Sequence, residues 1–260
     1  MPKSKPLSAN MEDYLEAIYH IVSQKKAARA KDIAVRMAVN SASVTGALRL
    51  LAEKGHINYA PYDVITLTAR GEALALDIVR RHEILKDFFT KVLNVEAQEA
   101  EENACRIEHA VSPVVIDRLV RFVEFIQICP RGGDAWIDGF RRFCEKEDPL
   151  AGCGSALSGC LDDLRKRQKQ LQQLGRETIT LEELEAGQVA RLIRIRGQGS
   201  IVDKLKELKI TPGSIIELEA QERSGEEISI KVRGYHLCLR KDDFAKIELE
   251  LIPTADSGFP

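Results

Sequence analysis

Long apolar runs are missing from this chain of 260 residues. A membrane-spanning helix needs ~18 consecutive apolar residues, and no stretch approaches that. The start, Met1-Pro2-Lys3-Ser4-Lys5, also lacks the apolar core of a secretory signal. Membrane insertion is therefore not expected, and the chain reads as cytoplasmic. Excess charge of one sign is absent too: 38 Lys and Arg face 40 Asp and Glu, a net charge of −2, which by itself gives no sign of a nucleic-acid partner. Six cysteines are irregularly spaced and include no Cys-x-x-Cys pair, which excludes a secreted disulfide framework. No Ser/His/Asp arrangement, phosphate-cradling glycine loop or isolated acid/base carboxylate pair stands out, so an enzyme is not expected. What remains, 44% hydrophobic and 30% charged, is a soluble globular composition long enough for two or three domains.

Charge is unevenly distributed. Residues 1–75 carry ten Lys/Arg against seven Asp/Glu, whereas Val95-Glu-Ala-Gln-Glu-Ala-Glu-Glu-Asn103 is acidic. A mildly basic head permits DNA binding. In that head, Met11, Tyr14, Leu15, Ile18, Tyr19 and Val22 form a 3.6-residue stripe, predicting a helix over 10–23. A short helix over 30–37 buries Ile33, Ala34 and Met37. A third starts at an Asn40 or Ser41 cap, buries Val44, Leu48 and Leu51, and stops at Gly55. Two short strands follow, over 57–59 and 64–67. Helix, helix-turn-helix and hairpin in that order predict a winged helix-turn-helix over 1–75; a generic small α+β domain is the alternative. Ser41, Ala42, Ser43, Thr45 and Arg49 are the expected DNA-facing residues of the recognition helix, because small and hydroxyl side chains let it approach closely. Gly46 stands where a longer side chain would reach a base. Arg29, Lys31, Arg36, Lys3 and Lys5 are phosphate candidates or plain solvated charges.

Thr68 caps a long helix reaching about Leu93, the next helix covers 97–110, and Ser112-Pro113 opens another. The apolar residues of that last helix, from Val114 to Ile128, occupy more than one face, which predicts a dimer interface beside the protein's own core. Residues 76–128 thus read as a helical dimerising domain and 129–177 as a connector. The connector has a short helix over 136–144, a polar helix over 161–174, and Cys129, Cys144, Cys153 and Cys160, whose metal or cluster binding the sequence leaves open. From 178 to 252, short alternating strands with Gly turns predict a small β-barrel, with Cys238 in its core and a tail over 253–260.

The chemistry concentrates at Cys105-Arg106-Ile107-Glu108-His109. A thiol, a carboxylate and an imidazole at i, i+3 and i+4 share one helix face, with Cβ atoms about 5–6 Å apart. Asp13 and Glu16, one helical turn apart, and His82 are further candidates for the same ion. Spacing alone leaves ordinary surface or core roles open for all six.

Together these segments resemble the diphtheria toxin repressor family of metal-dependent transcriptional repressors, including its manganese transport regulator branch. The likeness lies in Met11-Glu-Asp-Tyr-Leu-Glu-Ala-Ile-Tyr19, Arg81-His82-Glu83 and the 105–109 run, and covers about residues 8–128. Separately, Arg191–Gly197, Leu208–Gly213 and Val232–Lys241 resemble the FeoA-type SH3-like domain. The resemblance implies a multidomain α+β protein with metal ligands Asp13, Glu16, His82, Cys105, Glu108 and His109. The iron-type branch has Met and Cys at positions 13 and 105, and the manganese branch has Asp and Glu; this chain takes one residue from each. Lys86 and Glu101 stand where the iron-type branch keeps an ancillary site, and the Lys86 ammonium departs from it.

The expected cofactor is Fe2+ or Mn2+, with the Cys105 thiolate favouring Fe2+. The expected function is a metal-activated homodimeric repressor of metal-uptake genes that binds a double-stranded operator. The FeoA-like domain is expected to contact the rest of the chain. The alternative is a metal-handling accessory protein whose FeoA-like domain docks on a ferrous iron transporter. A metallo-hydrolase finds no general base or substrate pocket in the sequence.

Overall fold

The computed structural model describes residues 7–60, 63–128, 137, 139–141, 144, 178–221 and 226–252. Lys3, Lys5, Cys129, Cys153, Cys160, the expected helix over 161–174 and the tail lie outside them. The chain divides into two compact units, Met1–Leu85 with Glu101–Ser112, and Lys86–Ala100 with Pro113–Pro260. No described helix is long and apolar enough to cross a membrane.

In the first unit, helix α1 (Ala9–Lys25) buries Tyr14, Leu15, Ala17, Ile18 and Ile21. The stripe at helical spacing becomes one face of a core, each Leu or Ile contributing about 1.5–3 kcal/mol of transfer free energy. Helix α2 (Ala30–Arg36) adds Ile33. Helix α3 (Ser41–Glu53) adds Val44, Ala47, Leu48 and Leu51. Asn40 caps α3, its Oδ1 accepting the Ser43 N–H at 2.9 Å. Gly55 follows α3 with φ of 74°, the left-handed conformation a glycine adopts without a Cβ penalty. Strands β1 (Ile57–Asn58) and β2 (Thr66–Leu67) pair antiparallel, Ile57 opposite Leu67, and Ala28 bridges Ile65. This is a winged helix-turn-helix, its hairpin shorter than expected.

Thr68 opens helix α4 (Ala69–Asp87), its Oγ1 accepting the Gly71 N–H at 3.0 Å while its own N–H reaches the His56 carbonyl at 3.0 Å. That closure draws α4 onto the wing so tightly that a Cβ at Gly71 would lie 1.8 Å from the His56 oxygen. Ala75 and Ile78 of α4 join the head's core. The helix continues as a π turn, Phe88–Val92. Helix α5 (Ala97–Ile107) ends earlier than its pattern predicts, and Glu108 and His109 lie in a turn after it. Ser112-Pro113 keeps the chain from running on as one helix into the next, because a residue before proline is disfavoured in the α conformation. The Glu108 N–H still bonds the Ala104 carbonyl at 2.9 Å, so the triplet keeps a nearly helical path.

In the second unit, helix α6 (Pro113–Ile128) has Pro at its first position. It leaves Val114, Val115, Phe122 and Phe125 exposed at 68%, 48%, 40% and 60%. The C-terminal part holds β3 (Thr178–Thr180), β4 (Val189–Ile195), helix α7 (Ser200–Glu207), β5 (Ile215–Gln221), β6 (Glu227–Val232), β7 (Tyr235–Arg240), helix α8 (Lys241–Phe244) and β8 (Ile247–Leu251). The strands form one antiparallel sheet in the order β3-β8-β4-β5-β6-β7. Among the described residues β3 and β7 remain edges, so the pairing is an open sheet rather than a closed barrel. Its core gathers Leu192, Leu218, Ile230, Leu237, Leu239, Phe244 and Leu249. Cys238 corrects the expectation that it is core. Strand alternation turns Leu237 and Leu239 inward, so the intervening Cys238 is exposed, its Sγ 3.4 Å from Glu227 Oε2.

Candidate metal centre

Glu108 is the middle of the site and is 0% exposed. Its Oε2 lies 2.8 Å from His82 Nδ1. Its Oε1 lies 3.4 Å from His109 Nε2. A carboxylate this buried is costly unless something positive faces it. Two groups of donors converge there, each within 4.8 Å of one another: Asp13, Glu108 and His109, and Glu16, His82 and Glu108. Helix α1 supplies Asp13 and Glu16, α4 supplies His82, and the turn after α5 supplies Glu108 and His109. Five of the six expected ligands are therefore brought together. Cys105 is in neither group; its side chain is exposed and lines the adjoining cleft with Asp13, Glu16 and His82.

Both imidazoles are held by an outer carboxylate. The Nε2 of His82 is 3.1 Å from Glu101 Oε1. The Nδ1 of His109 is 2.9 Å from Glu12 Oε2. The same Glu12 oxygen accepts from an Arg81 guanidinium nitrogen at 3.0 Å, and another nitrogen of Arg81 donates to the Glu108 carbonyl at 2.9 Å. Glu12 and Arg81 carried no spacing signal of their own, since each is merely the sequence neighbour of an expected ligand. His20 comes within 3.6 Å of Glu16.

The charges explain why the site suits a cation. Burial works against a charged His82, but its hydrogen bond to Glu108 and the Glu108 and Glu101 charges outweigh that and push its pKa up to about 9. A proton on that ring thus offsets the carboxylates. Burial raises the Glu108 and Asp13 carboxyls, against the pull of His82 and His109 respectively. Burial also raises the Cys105 thiol, reinforced by the Glu108 and Asp13 charges, so the thiolate is disfavoured. The compensation is incomplete. Among the described residues, buried Glu108 Oε1 and His109 Nε2 have no hydrogen-bond partner, although Asp13 Oδ1 is only 2.7 Å from that Nε2 without the alignment of a hydrogen bond. Burial works against a charged His109, but Glu12, Glu108 and Asp13 outweigh that and raise its pKa, so without a cation a ring proton is favoured between these carboxylates. Carboxylates gathered around an exchangeable imidazole proton fit a divalent cation that displaces it, and carboxylate with imidazole is a suitable donor set.

The same residues carry the likeness to known proteins. The N-terminal DNA-binding domain of the iron dependent repressor matches residues 6–65, and that repressor's metal binding and dimerisation domain matches 68–137. An uncharacterized HTH-type transcriptional regulator of Methanocaldococcus jannaschii is 34% identical over 119 residues, 45% of this chain and 95% of that protein. The chain belongs to the iron-dependent repressor family. The HTH-type transcriptional regulator MntR of Shouchella clausii is 36% identical over 118 residues, 45% of this chain and 82% of its own length. Residues 179–251 match the FeoA domain. The structure of the manganese regulator SloR aligns with 94% of this chain and 100% of its own at 21% identity, with a TM-score of 0.42.

As an iron-dependent repressor family member, the protein is a metal-dependent transcriptional repressor and not an enzyme. In its DNA-binding domain, Ser41, Ala42, Ser43 and Arg49 are exposed on α3, and Thr45 is half-buried with its hydroxyl returned to the Ser41 carbonyl at 2.9 Å. A side chain at Gly46 would meet nothing within 4 Å, so that surface is open. Arg29, Lys31 and Arg36 are exposed, and Arg36 also lines the cleft beside Asp13 and Glu16.

Proposed function

We propose that this protein is a homodimeric repressor of metal-uptake genes, activated by Fe2+ or Mn2+ at a centre built from Asp13, Glu16, His82, Glu108 and His109. The convergence of α1 carboxylates with ligands from α4 and the α5 turn, around a fully buried Glu108, carries the reading. When bound, the cation supplies positive charge at the point where these lone pairs meet. Asp13 and Glu16 then tie the first helix of the winged head to His82, Glu108 and His109. Without the cation, a proton on His82 offsets these carboxylates only in part, so the ordered head is the state that binding favours.

The exposed apolar face of α6, with Val114, Val115, Phe122 and Phe125, is the dimer contact. Two heads held by that contact place their α3 helices in successive major grooves, about 34–36 Å apart. Ser41, Ala42, Ser43, Thr45 and Arg49 approach the bases, and Arg29, Lys31 and Arg36 the phosphates. The choice between Fe2+ and Mn2+ rests with Cys105. Three carboxylates and two imidazoles without it suit Mn2+, and a thiolate moving in from the cleft favours Fe2+. The FeoA-type sheet contacts the chain near the π turn; ion pairs of Lys231 with Asp87 at 2.8 Å and Lys91 with Glu217 at 3.2 Å support this. Fluorescence anisotropy with promoter DNA and anaerobic Fe2+, Mn2+, Zn2+ or no metal tests the function. Metal-dependent binding is expected, and equal binding with and without metal would refute it.

A further inference from the structure

We propose that Glu12 is a positioning residue of the metal centre, whose carboxylate holds His109 in the one tautomer that can ligate through Nε2. The inference rests on the reading of His109 and Glu108 as ligands and adds two residues, Glu12 and Arg81, that lie outside the ligand set. A neutral imidazole has one N–H and one lone pair, and only the lone pair can bind a cation. Glu12 Oε2 stands 2.9 Å from His109 Nδ1, placed to accept a proton held there. The opposite nitrogen, Nε2, faces Asp13 Oδ1 at 2.7 Å and Glu108 Oε1 at 3.4 Å, and it is the atom whose lone pair a cation would take once its proton leaves.

Arg81 keeps that carboxylate in place. Its side chain is 11% exposed and that of Glu12 is 14% exposed, so this ion pair is well shielded from water. One guanidinium nitrogen donates to Glu12 and another to the Glu108 carbonyl at 2.9 Å, which fixes the turn carrying both Glu108 and His109. Helix α1, helix α4 and the turn after α5 are thereby joined around His109 by groups that are not themselves donors to the ion. A carboxylate on the far nitrogen of a ligating histidine orients the ring and raises its basicity, and loss of such a partner typically costs about 10–100-fold in metal affinity. A plain structural ion pair between helices would leave the ring's tautomer and the local affinity alone, which makes the two roles separable.

The accepting oxygen is a single atom, Oε2, shared by His109 and Arg81. A glutamine amide oxygen can take that place, and an alanine offers nothing. The test uses the full chain with 15N-labelled histidine, titrated with chelator-buffered Zn2+ and followed by the ring nitrogen resonances of His109. In wild type the expectation is Zn2+ on Nε2 and the proton on Nδ1. Glu12→Ala is expected to weaken Zn2+ binding at His109 by about 10–100-fold and to lose the protected Nδ1–H signal, with the dimer still folded by thermal melting. Glu12→Gln is expected to lose less affinity than Glu12→Ala and to retain that signal, because its amide oxygen still accepts the Nδ1–H. Should Glu12→Ala fail to fold, Glu12→Gln and the wild-type tautomer decide the matter alone. Zn2+ on Nδ1 in wild type, unchanged affinity in Glu12→Ala, or a Glu12→Gln defect as large as that of alanine would overturn the role of Glu12. Wild-type His109 resonances indifferent to Zn2+ would overturn the metal-centre reading itself and this inference with it.

Discussion

Glu108 combines complete burial with an oxygen that no described residue satisfies. Such a group is destabilising on its own account and is kept where a cation or proton completes it. Glu108→Ala removes the donor common to both convergent sets, so metal affinity should fall by more than about 100-fold. Metal-activated operator binding should disappear at limiting metal while size-exclusion chromatography still shows a dimer; normal operator affinity would remove Glu108 from the ligand set. Cys105 poses the opposite case, a soft donor next to the site but outside both groups. Cys105→Glu replaces it with a hard donor, and the ratio of Mn2+ to Fe2+ activation midpoints, measured anaerobically, should change in favour of Mn2+. An unchanged ratio would place Cys105 outside the coordination sphere and leave the five-donor set to choose the metal.

Among the elements, the junction of α3, the wing and α4 has its own titrating group. His56 is 4% exposed, and its Nδ1 has no partner among the described residues. Burial lowers its pKa from the usual 6.5, and the charges of Arg70 and Lys54 add to the effect. The unfolded chain therefore takes up a proton near pH 6.5 that the folded chain resists until lower pH. The stability owed to neutral His56 is fully present above 6.5 and is lost as pH falls through the folded value. Urea denaturation of wild type and His56→Leu, from about pH 7.5 to about pH 5, should diverge, with wild type losing more stability on acidification. Parallel curves would mean that His56 titrates as it does in the unfolded chain. Helix α6 carries an exposed apolar face. Phe125, 60% exposed on its apolar face, should tolerate Phe125→Glu within the subunit yet convert the dimer to monomer in analytical ultracentrifugation.

For the whole molecule, the head's core and the sheet's core are separate sets of residues. The proposed ligands all lie within Met1–Leu85 and Glu101–Ser112, so among the described residues the sheet supplies no donor to that set. Deleting residues 178–260 should leave metal-dependent DNA binding in place and shift its metal threshold, as read by anisotropy with graded Mn2+. Failure of the truncated protein to dimerise with metal present would tie the FeoA-type sheet to assembly instead.

Local features of this protein were determined by the sequence by itself. The stripe from Met11 to Val22, the Asn40 cap, the Gly55 stop and the Ser112-Pro113 start are short-range signals, and they marked out α1, α3 and α6 because helix formation is decided within a few residues. The carboxylate, imidazole and thiol spacings singled out the ligand candidates for the same reason. Packing decided the rest. Whether Cys238 faced in or out depended on which face of β7 met the core, and Leu237 with Leu239 outweighed a single small thiol. The burial of Glu108, the exclusion of Cys105 from the donor groups, and the placing of Glu12, Arg81 and Glu101 behind the histidines depend on how α1 lies against α4 and the α5 turn. Residues 12 and 109 are far apart in the chain and 2.9 Å apart in space, and no periodicity along a chain carries that distance.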